Sequence, residues 1–327
     1  MPRLIDSHTH HYLASHLGEL SWMTASSPLN GQFSPAELSA ASAASPPDGY
    51  IFVETDRAYP SLQNLQYPLN EISFALSLRR QPGLRLVGMV PFAPVPLGRE
   101  EMEAWWAAAK ALGAEGEVEE MVKGVRYLVQ DKPAGTMAGM VEGVRWALER
   151  GLAFDLGVDF HRRGREQLVE AVAMLEKVFE GGEERGWVVL DHLGKPNLTS
   201  PAHWDGSFST WSGALAEIAA FPRVAVKFSG VFSELDKEVD DVVERVFPWV
   251  KEVFGHFGAE RVMWGSDWPV CEIGHGEMKG KERQQEAWAA WKEVSEKLLE
   301  KLVEEGVITE AQMADVWGEV AARVYGL

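Results

Sequence analysis

Cysteine, excess positive charge and long apolar runs are scarce or missing in this 327-residue sequence. The single cysteine, Cys271, excludes an intramolecular disulfide framework and is typical of a reducing compartment. The 31 basic residues stand against 49 acidic ones, and the net charge of −18 argues against a nucleic-acid partner. The sequence has no run of about 18 apolar residues, which a membrane span would need, and we find no apolar signal core near the N-terminus. We therefore expect a cytoplasmic protein that binds neither a membrane nor a nucleic acid.

Eight short β-rich runs recur along the chain at regular intervals. They begin at residues 3, 50, 84, 122, 153, 187, 224 and 261 and read RLIDSH, YIFVETD, LRLVGMVPF, VKGVRYLVQ, AFDLGVDF, WVVLDHLG, VAVKFSG and RVMWGSDWP. Amphipathic stretches such as REEMEAWWAAAKALG fill the intervals, as helices would. Eight β-then-α units predict an α/β protein, a (β/α)8 TIM barrel that forms one domain over residues 1–327. The segment TEAQMADVWGEVAARVYGL, with Thr309 as its cap, predicts one extra C-terminal helix.

Polar residues stand at the predicted strand ends, where such barrels carry their chemistry. His8 and His10 share parity on the first strand, so both can address one ion or one substrate atom. A lone H-x-H motif is weak evidence for a site. Histidines after strands 1 and 6 with an aspartate after strand 8 are stronger, because they would converge on one end of the barrel. The further candidates at the strand ends are Glu54, Arg126, Asp155, Asp159, Asp191, His192, Lys227 and Asp267.

Five segments spread over the whole chain resemble one known group of enzymes. IDSHTHHY, GVRYLVQ, VVLDHLGKP, VAVKFSG and VMWGSDWPV are similar to the amidohydrolase superfamily, specifically to sugar-acid lactonases of its amidohydrolase 2 branch. DHLGKP together with GSDWPV is fairly specific to the lactonase-like group, and FVETDR is similar to fungal members. The resemblance implies a hydrolase of carbohydrate metabolism that opens an aldono-1,4-lactone such as L-rhamnono- or L-fucono-lactone. His8 and His10 match the family's H-x-H motif. His192 matches its strand-6 histidine, and Asp267 matches its strand-8 aspartate.

The resemblance also bears on metal content. Binuclear relatives hold a bridging carbamylated lysine on strand 4, but GVRYLVQ has no lysine after Val125, which argues against two metal ions. We expect one divalent ion, Zn²⁺, bound by His8, His10 and Asp267, with Glu54 completing the shell. Such an ion would lower the pKa of bound water towards about 7. Metal-independent catalysis is the alternative, with histidines alone stabilising the oxyanion.

Lactone hydrolysis needs an activated water, a polarised carbonyl and a proton for the departing alkoxide. Asp267 is the predicted proton shuttle, which takes a proton from water and returns it to the ring oxygen. His192 is the second catalytic candidate. Cys271 lies four residues beyond Asp267, but no paired base is evident that would make it a nucleophile.

Two basic residues and two aromatic ones are predicted to bind the substrate. Arg126 and Lys227 would hold the carbonyl, hydroxyls or a carboxylate of an aldonolactone. The alternative for both is an ion pair with Asp155 or Asp191. The long segments 11–34 and 194–210 are expected to cover the site and to bring Trp22 and His203 to the substrate.

Two other functions are compatible with the same residues. One is metal-dependent decarboxylation of a carboxylated ring, and the other is ligand binding without chemistry in a barrel that has lost activity. The presence of His8, His10 and Asp267 together argues against the non-catalytic barrel. On mixing with a sugar lactone, a hydrolase releases acid, a decarboxylase releases CO₂ and a binding protein releases neither. The sequence leaves open the oligomeric state, with a homodimer as one option, and the roles of His11 and His161.

Overall fold

Eight parallel strands form the centre of the computed structural model, which describes residues 3–182, 185–202, 206–235, 239–273 and 286–327. The strands are β1 Ile5–Thr9, β2 Gly49–Val53, β3 Leu86–Val90, β4 Gly124–Arg126, β5 Ala153–Leu156, β6 Val188–Leu190, β7 Val224–Phe228 and β8 Val262–Trp264. Each one overlaps a β-rich run identified in the sequence. All eight predicted strands are therefore confirmed.

Backbone hydrogen bonds join the strands in chain order. Strands β1 to β3 form one continuous ladder and β4 to β8 form another. Lys123 N donates to Met89 O at 2.9 Å and joins β3 to the start of β4. Asp267 N donates to His8 O at 2.9 Å, just past the end of β8, and closes the circle. The predicted α/β barrel is confirmed, and its closure places Asp267 beside β1.

Twelve α-helices lie around the strands in the part of the chain that the structure describes. They are α1 Pro35–Ala41, α2 Gln66–Arg79, α3 Arg99–Lys110, α4 Glu117–Met121, α5 Val141–Glu149, α6 Phe160–Arg163, α7 Arg165–Val178, α8 Ser207–Ala219, α9 Val242–Phe257, α10 Ala287–Glu304, α11 Glu310–Val316 and α12 Glu319–Tyr325. Among these described helices, none has both the length and the apolar character needed to cross a bilayer.

Alternate residues of most strands pack into two different cores, as the two-residue period of a strand requires. Ile51, Val189 and Met263 belong to a cluster that also contains Val324 and Tyr325 of α12. A larger cluster contains residues of the opposite parity together with the buried faces of the surrounding helices. Helix α12 therefore fills one end of the barrel interior and leaves the C-terminal ends of the strands for the site.

The C-terminal segment differs from its prediction, because it forms two helices rather than one. Thr309 caps α11 as predicted, and its side chain accepts a backbone N–H of the first turn. The carbonyl of Trp317, between α11 and α12, accepts from Ile5 N at 2.8 Å. A Cβ on Gly318 would lie 2.3 Å from Arg3 O, so only glycine permits this close approach. Docking against β1 breaks the helix, and local helix propensity does not report such a contact.

Candidate active site

Three imidazoles meet one carboxylate at the C-terminal end of the barrel. His8 and His10 come from the end of β1 and point the same way, as their shared parity predicts. Asp267 Oδ1 lies 3.7 Å from His8 Nε2 and 3.4 Å from His10 Nε2. His192, just after β6, places its Nε2 3.8 Å from the same oxygen. All four side chains are buried. The structure thus brings together the four residues that matched the family motifs.

Each of these histidines is oriented through its other ring nitrogen. His10 Nδ1 lies 2.9 Å from two backbone carbonyl oxygens at the end of β2. Carbonyls only accept, so Nδ1 of His10 carries a hydrogen, and in the neutral ring Nε2 carries none. His192 Nδ1 lies 2.9 Å from Ser229 Oγ, and His8 Nδ1 lies 2.9 Å from Lys227 Nζ. Hydrogen bonds to the second ring nitrogen fix the orientation of each imidazole.

Burial and neighbouring charge leave the carboxylate ionised and an imidazole neutral. Burial alone would raise the pKa of the Asp267 carboxyl, but the imidazoles of His192, His10 and His8 outweigh burial and hold that pKa well below its usual range. Burial lowers the pKa of His192 to about 4, although Asp267 and Asp191 oppose the change. At neutral pH the site therefore holds a carboxylate that can accept a proton, next to an uncharged ring.

The backbone around the site is strained at several strand ends. Left-handed φ values between 48° and 58° occur at Asp56, His192, Leu193, Lys195 and Asp267, which follow β2, β6 and β8. These are the non-glycine residues with positive φ in the described ranges. Such a conformation costs on the order of 1–3 kcal/mol and persists only where the surroundings enforce it. Strain concentrated here is typical of a functional site.

A cavity of about 200 Å³ adjoins Asp267. Its wall combines apolar side chains such as Leu128 and Ile273 with charged ones such as Arg126 and Lys195. Trp22 also lines it, and its indole Nε1 donates to Thr55 O at 2.8 Å, which fixes the ring. An apolar surface beside hydrogen-bonding groups suits a small, hydroxyl-rich ring.

Arg126 combines both alternatives that the sequence left open. It lines the cavity, and its Nε lies 3.5 Å from Glu54 Oε1 and 3.6 Å from Asp191 Oδ2. These distances are too long for hydrogen bonds. Among the described residues, its Nε and Nη1 have no hydrogen-bond partner, although the side chain is more than nine-tenths buried. A buried guanidinium with unmet donors is suited to binding an oxygen-rich ligand.

Lys227 differs from its prediction as a substrate-binding residue. Its side chain is fully buried and is absent from the cavity wall. Lys227 Nζ lies 2.5 Å from Asp155 Oδ2 and 3.1 Å from Asp191 Oδ1, so the ion-pair alternative is correct here. The residue precedes the end of β7, and its ammonium therefore remains inside the barrel, below the cavity.

Glu54 also differs from its prediction, which made it a metal ligand. Its Oε2 accepts from Asp56 N at 2.5 Å, and burial raises the pKa of Glu54 to about 8, with Arg126 opposing the rise. A protonated carboxyl is a poor ligand for a cation. In the described chain, the groups that could hold an ion are His8–His10–Asp267 and His8–Asp191–His192, and neither includes Glu54.

Some sequence candidates fall outside the cavity, and some cavity residues were missed. His203 lies outside the described residues. Cys271 is buried, and burial raises the pKa of its thiol well above the usual value, which makes it a poor nucleophile. Lys195 and Gln130 line the cavity although neither was selected. Lys195 belongs to the DHLGKP segment, so that motif was the signal that could have identified it.

The His8–His10–Asp267 group has the spacing that one tetrahedral ion requires. Ligand bonds of about 2.0–2.1 Å in tetrahedral zinc sites put neighbouring ligand atoms about 3.4 Å apart. The distances here are 3.2 Å between the two Nε2 atoms, and 3.4 and 3.7 Å from them to Asp267 Oδ1. The donor set therefore fits a single divalent cation.

A closed parallel barrel with a histidine pair at the end of β1 and an aspartate after β8 is the arrangement typical of a barrel hydrolase of the amidohydrolase type. The chain belongs to the amidohydrolase family, because the family model described as "Amidohydrolase" matches residues 5–327. L-rhamnono-gamma-lactonase from Scheffersomyces stipitis is 32% identical over 84% of this chain and 88% of its own. L-fucono-1,5-lactonase from Burkholderia multivorans is 30% identical over 69% of this chain and 67% of its own. The predicted family is confirmed.

The fold comparison agrees with the sequence comparison. A crystal structure of an amidohydrolase from Burkholderia multivorans with bound zinc is similar to this structure at a TM-score of 0.72 and 26% identity, over 99% of both chains. A zinc ion in a solved relative is consistent with the donor set described above.

Proposed function

We propose that this protein is an enzyme that hydrolyses the ring ester of a sugar-acid lactone with an activated water molecule. The observation that carries the proposal is the Asp267 carboxylate, within 3.8 Å of three imidazoles and beside a cavity of mixed polarity. The two curated relatives described above are both sugar lactonases, which supports the same substrate class. The proposal includes residues 1–327 as one domain and carbohydrate metabolism in the cytoplasm as its setting.

Asp267 is the proton shuttle in this proposal. Its ionised carboxylate takes a proton from water while the water oxygen adds to the lactone carbonyl carbon. The tetrahedral intermediate then collapses, the ring C–O bond breaks, and Asp267 returns the proton to the departing alkoxide to give the open hydroxy acid. His192, held by Ser229, presents Nε2 to the same region and stabilises the developing oxyanion.

His8, His10 and Asp267 would hold one divalent cation, which we propose to be Zn²⁺. When bound, such an ion would lower the pKa of the attacking water and polarise the lactone carbonyl. The protein's own contribution is to hold Asp267 and both imidazoles at ligand spacing and to exclude bulk water from all three. Without the ion, hydrogen bonds from the histidines would have to stabilise the oxyanion.

Substrate binding is assigned to Arg126 and Trp22. The unmet N–H groups of Arg126 would donate to ring hydroxyls or to the carboxylate of the product. The fixed indole of Trp22 offers an apolar face for the ring. In this proposal the lactone is the partner of the protein, and size-exclusion chromatography would show whether the enzyme acts as a homodimer.

Acid release from a panel of aldonolactones tests the proposed reaction. The purified protein is mixed with each lactone in weak buffer containing a pH indicator, and Asp267→Asn prepared in the same way serves as the control. We expect acid release that depends on the wild-type protein and on at least one lactone. CO₂ release from carboxylated rings without acid release from any lactone would favour the decarboxylase, and silence in both assays would favour a binding protein.

A further inference from the structure

Lys227 occupies an unusual position directly beneath the candidate metal ligands. Its ammonium is fully buried and contacts Asp155 Oδ2 at 2.5 Å, His8 Nδ1 at 2.9 Å and Asp191 Oδ1 at 3.1 Å. Tyr325 closes this pocket from the α12 side, with its hydroxyl donating to Asp155 Oδ1 at 2.8 Å and its ring 5.6 Å from Lys227 Nζ. Lys227 thus does not line the cavity, but it is the hydrogen-bond partner of His8 Nδ1 on the side that faces the barrel interior.

The contact with Lys227 fixes the direction of the hydrogen bonds above it. An ammonium donates three hydrogens and accepts none, so His8 Nδ1 must be the acceptor. Neutral His8 then carries its hydrogen on Nε2, which lies 3.2 Å from His10 Nε2. His10 Nε2 is free to accept, because Nδ1 of His10 donates to backbone carbonyls. The hydrogen bonds therefore all run in one direction: Lys227 donates to His8, and His8 donates to His10.

This direction of hydrogen bonding puts the hydrogen of His8 on Nε2, the nitrogen that would have to be unprotonated to bind a metal ion. A ligating histidine binds through an unprotonated nitrogen and donates its other N–H to a carboxylate or a carbonyl. His8 has such a carboxylate available, because Asp191 Oδ1 lies 3.5 Å from its Nδ1. Lys227 lies closer to that nitrogen, however, and competes with Asp191 for it.

We propose that Lys227 is a positioning residue that holds His8 with its hydrogen on Nε2 and thereby weakens cation binding at His8, His10 and Asp267. Its charge also lies at the second group that could hold an ion, since Nζ is close to both His8 and Asp191 of the His8–Asp191–His192 set. Lys227 supplies there the positive charge that a second cation would otherwise bring. The buried lysine thus weakens the binding of the first cation and disfavours a second one.

Nitrogen NMR on the wild-type protein tests the first half of the inference without any substitution. The metal-free protein is labelled with ¹⁵N-histidine, and the His8 signals are identified by their loss in His8→Asn. We expect a protonated Nε2 and an unprotonated Nδ1 for His8. A protonated Nδ1 in the metal-free protein would overturn the inference.

Zinc affinity tests the second half. Calorimetric titration at one fixed pH compares the wild type with Lys227→Met and with Lys195→Met. The second variant removes the same charge from the cavity wall, where Lys195 donates to Gln130 Oε1 at 2.7 Å. Outer partners of metal ligands typically change affinity about 10–100-fold, and we expect Lys227→Met to bind Zn²⁺ tighter by that range. Lys195→Met should stay within a few-fold of the wild type.

Equal or weaker zinc binding by Lys227→Met, or an equal gain in Lys195→Met, would overturn the inference. Circular dichroism and a thermal melt establish whether Lys227→Met is folded, because Asp155 and Asp191 lose their partner in it. Should it not fold, the NMR measurement on the wild type decides the question. Neither measurement uses a substrate, so their outcome is independent of the proposed lactone hydrolysis.

Discussion

Asp267→Asn is the substitution that separates the proposed chemistry most cleanly from the fold. The backbone at Asp267 has a φ of 58°, and asparagine tolerates this left-handed region as well as aspartate does. The hydrogen bond from the backbone of residue 267 to His8 O, which closes the barrel, does not involve the side chain and is retained. Size and backbone geometry therefore persist, while the proton-carrying oxygen beside three imidazoles becomes an amide.

The expected loss follows from the role assigned to that oxygen. General acid–base groups contribute about 10²- to 10⁴-fold to the rate, which corresponds to about 2.7–5.5 kcal/mol of activation free energy. We expect kcat, measured by acid release from the best lactone, to fall by at least 10²-fold while the melting temperature stays near that of the wild type. Asp131→Asn is the matched control, because Asp131 lines the same cavity without belonging to the imidazole group.

Metal binding makes the test of Asp267 sharper. If the carboxylate also ligates the ion, Asp267→Asn should have a lower metal content, and excess Zn²⁺ should restore occupancy without restoring the rate. A variant that hydrolyses the lactone within a few-fold of wild type would refute the assignment. The proton shuttle would then have to be His192, whose Nε2 lies 3.8 Å from the same oxygen.

Three further outcomes are expected. Arg126→Met should raise KM more than it lowers kcat in steady-state kinetics, because it removes binding made in the ground state, and a loss confined to kcat would contradict this. Elemental analysis of the fully active protein should find no more than about one metal ion per chain, and two tightly bound ions would refute the mononuclear site. Burial lowers the pKa of His11 to about 3, so the unfolded chain binds the extra proton and stability falls as pH drops from 6.5 towards 3. Denaturant unfolding should show that His11→Phe escapes about 2 kcal/mol of the loss between pH 7.5 and 5.

The strands could be predicted from the sequence because each one is short, buried on both sides and followed by a loop. Apolar runs such as YIFV and VVL report this directly, without knowledge of their neighbours. The break at Gly318 could not be predicted in this way, because it depends on the carbonyl of Arg3, more than three hundred residues earlier in the chain. Contacts of that kind are invisible to periodicity.

The site was predictable where parity and strand position determine it. Parity placed His8 and His10 on one side, and the common end of parallel strands brought Asp267 to them. Arg126 and Lys227 gave the same signal, a basic residue in a barrel strand, yet only one of them reaches the cavity. Arg126 is the last residue of β4, whereas Lys227 lies one residue inside the end of β7. Depth along the strand decides between substrate contact and a buried ion pair, and the sequence alone does not resolve a difference of one residue.

Glu54 and Asp267 are both buried beside the cavity, but the balance of burial and neighbouring charges shifts their pKa values in opposite directions. Both carboxyls are almost completely buried, so desolvation raises the pKa of each. Three imidazoles lower the pKa of Asp267, whereas Glu54 faces Arg126 on one side but also Asp56 and the carboxylate of Glu71. Near neutral pH the cavity therefore presents an ionised carboxyl at Asp267, which accepts the proton of water in the proposed mechanism, beside a Glu54 carboxyl whose pKa of about 8 favours the protonated form. Asp267 is therefore the carboxyl of this pair that a cation could bind without displacing a proton.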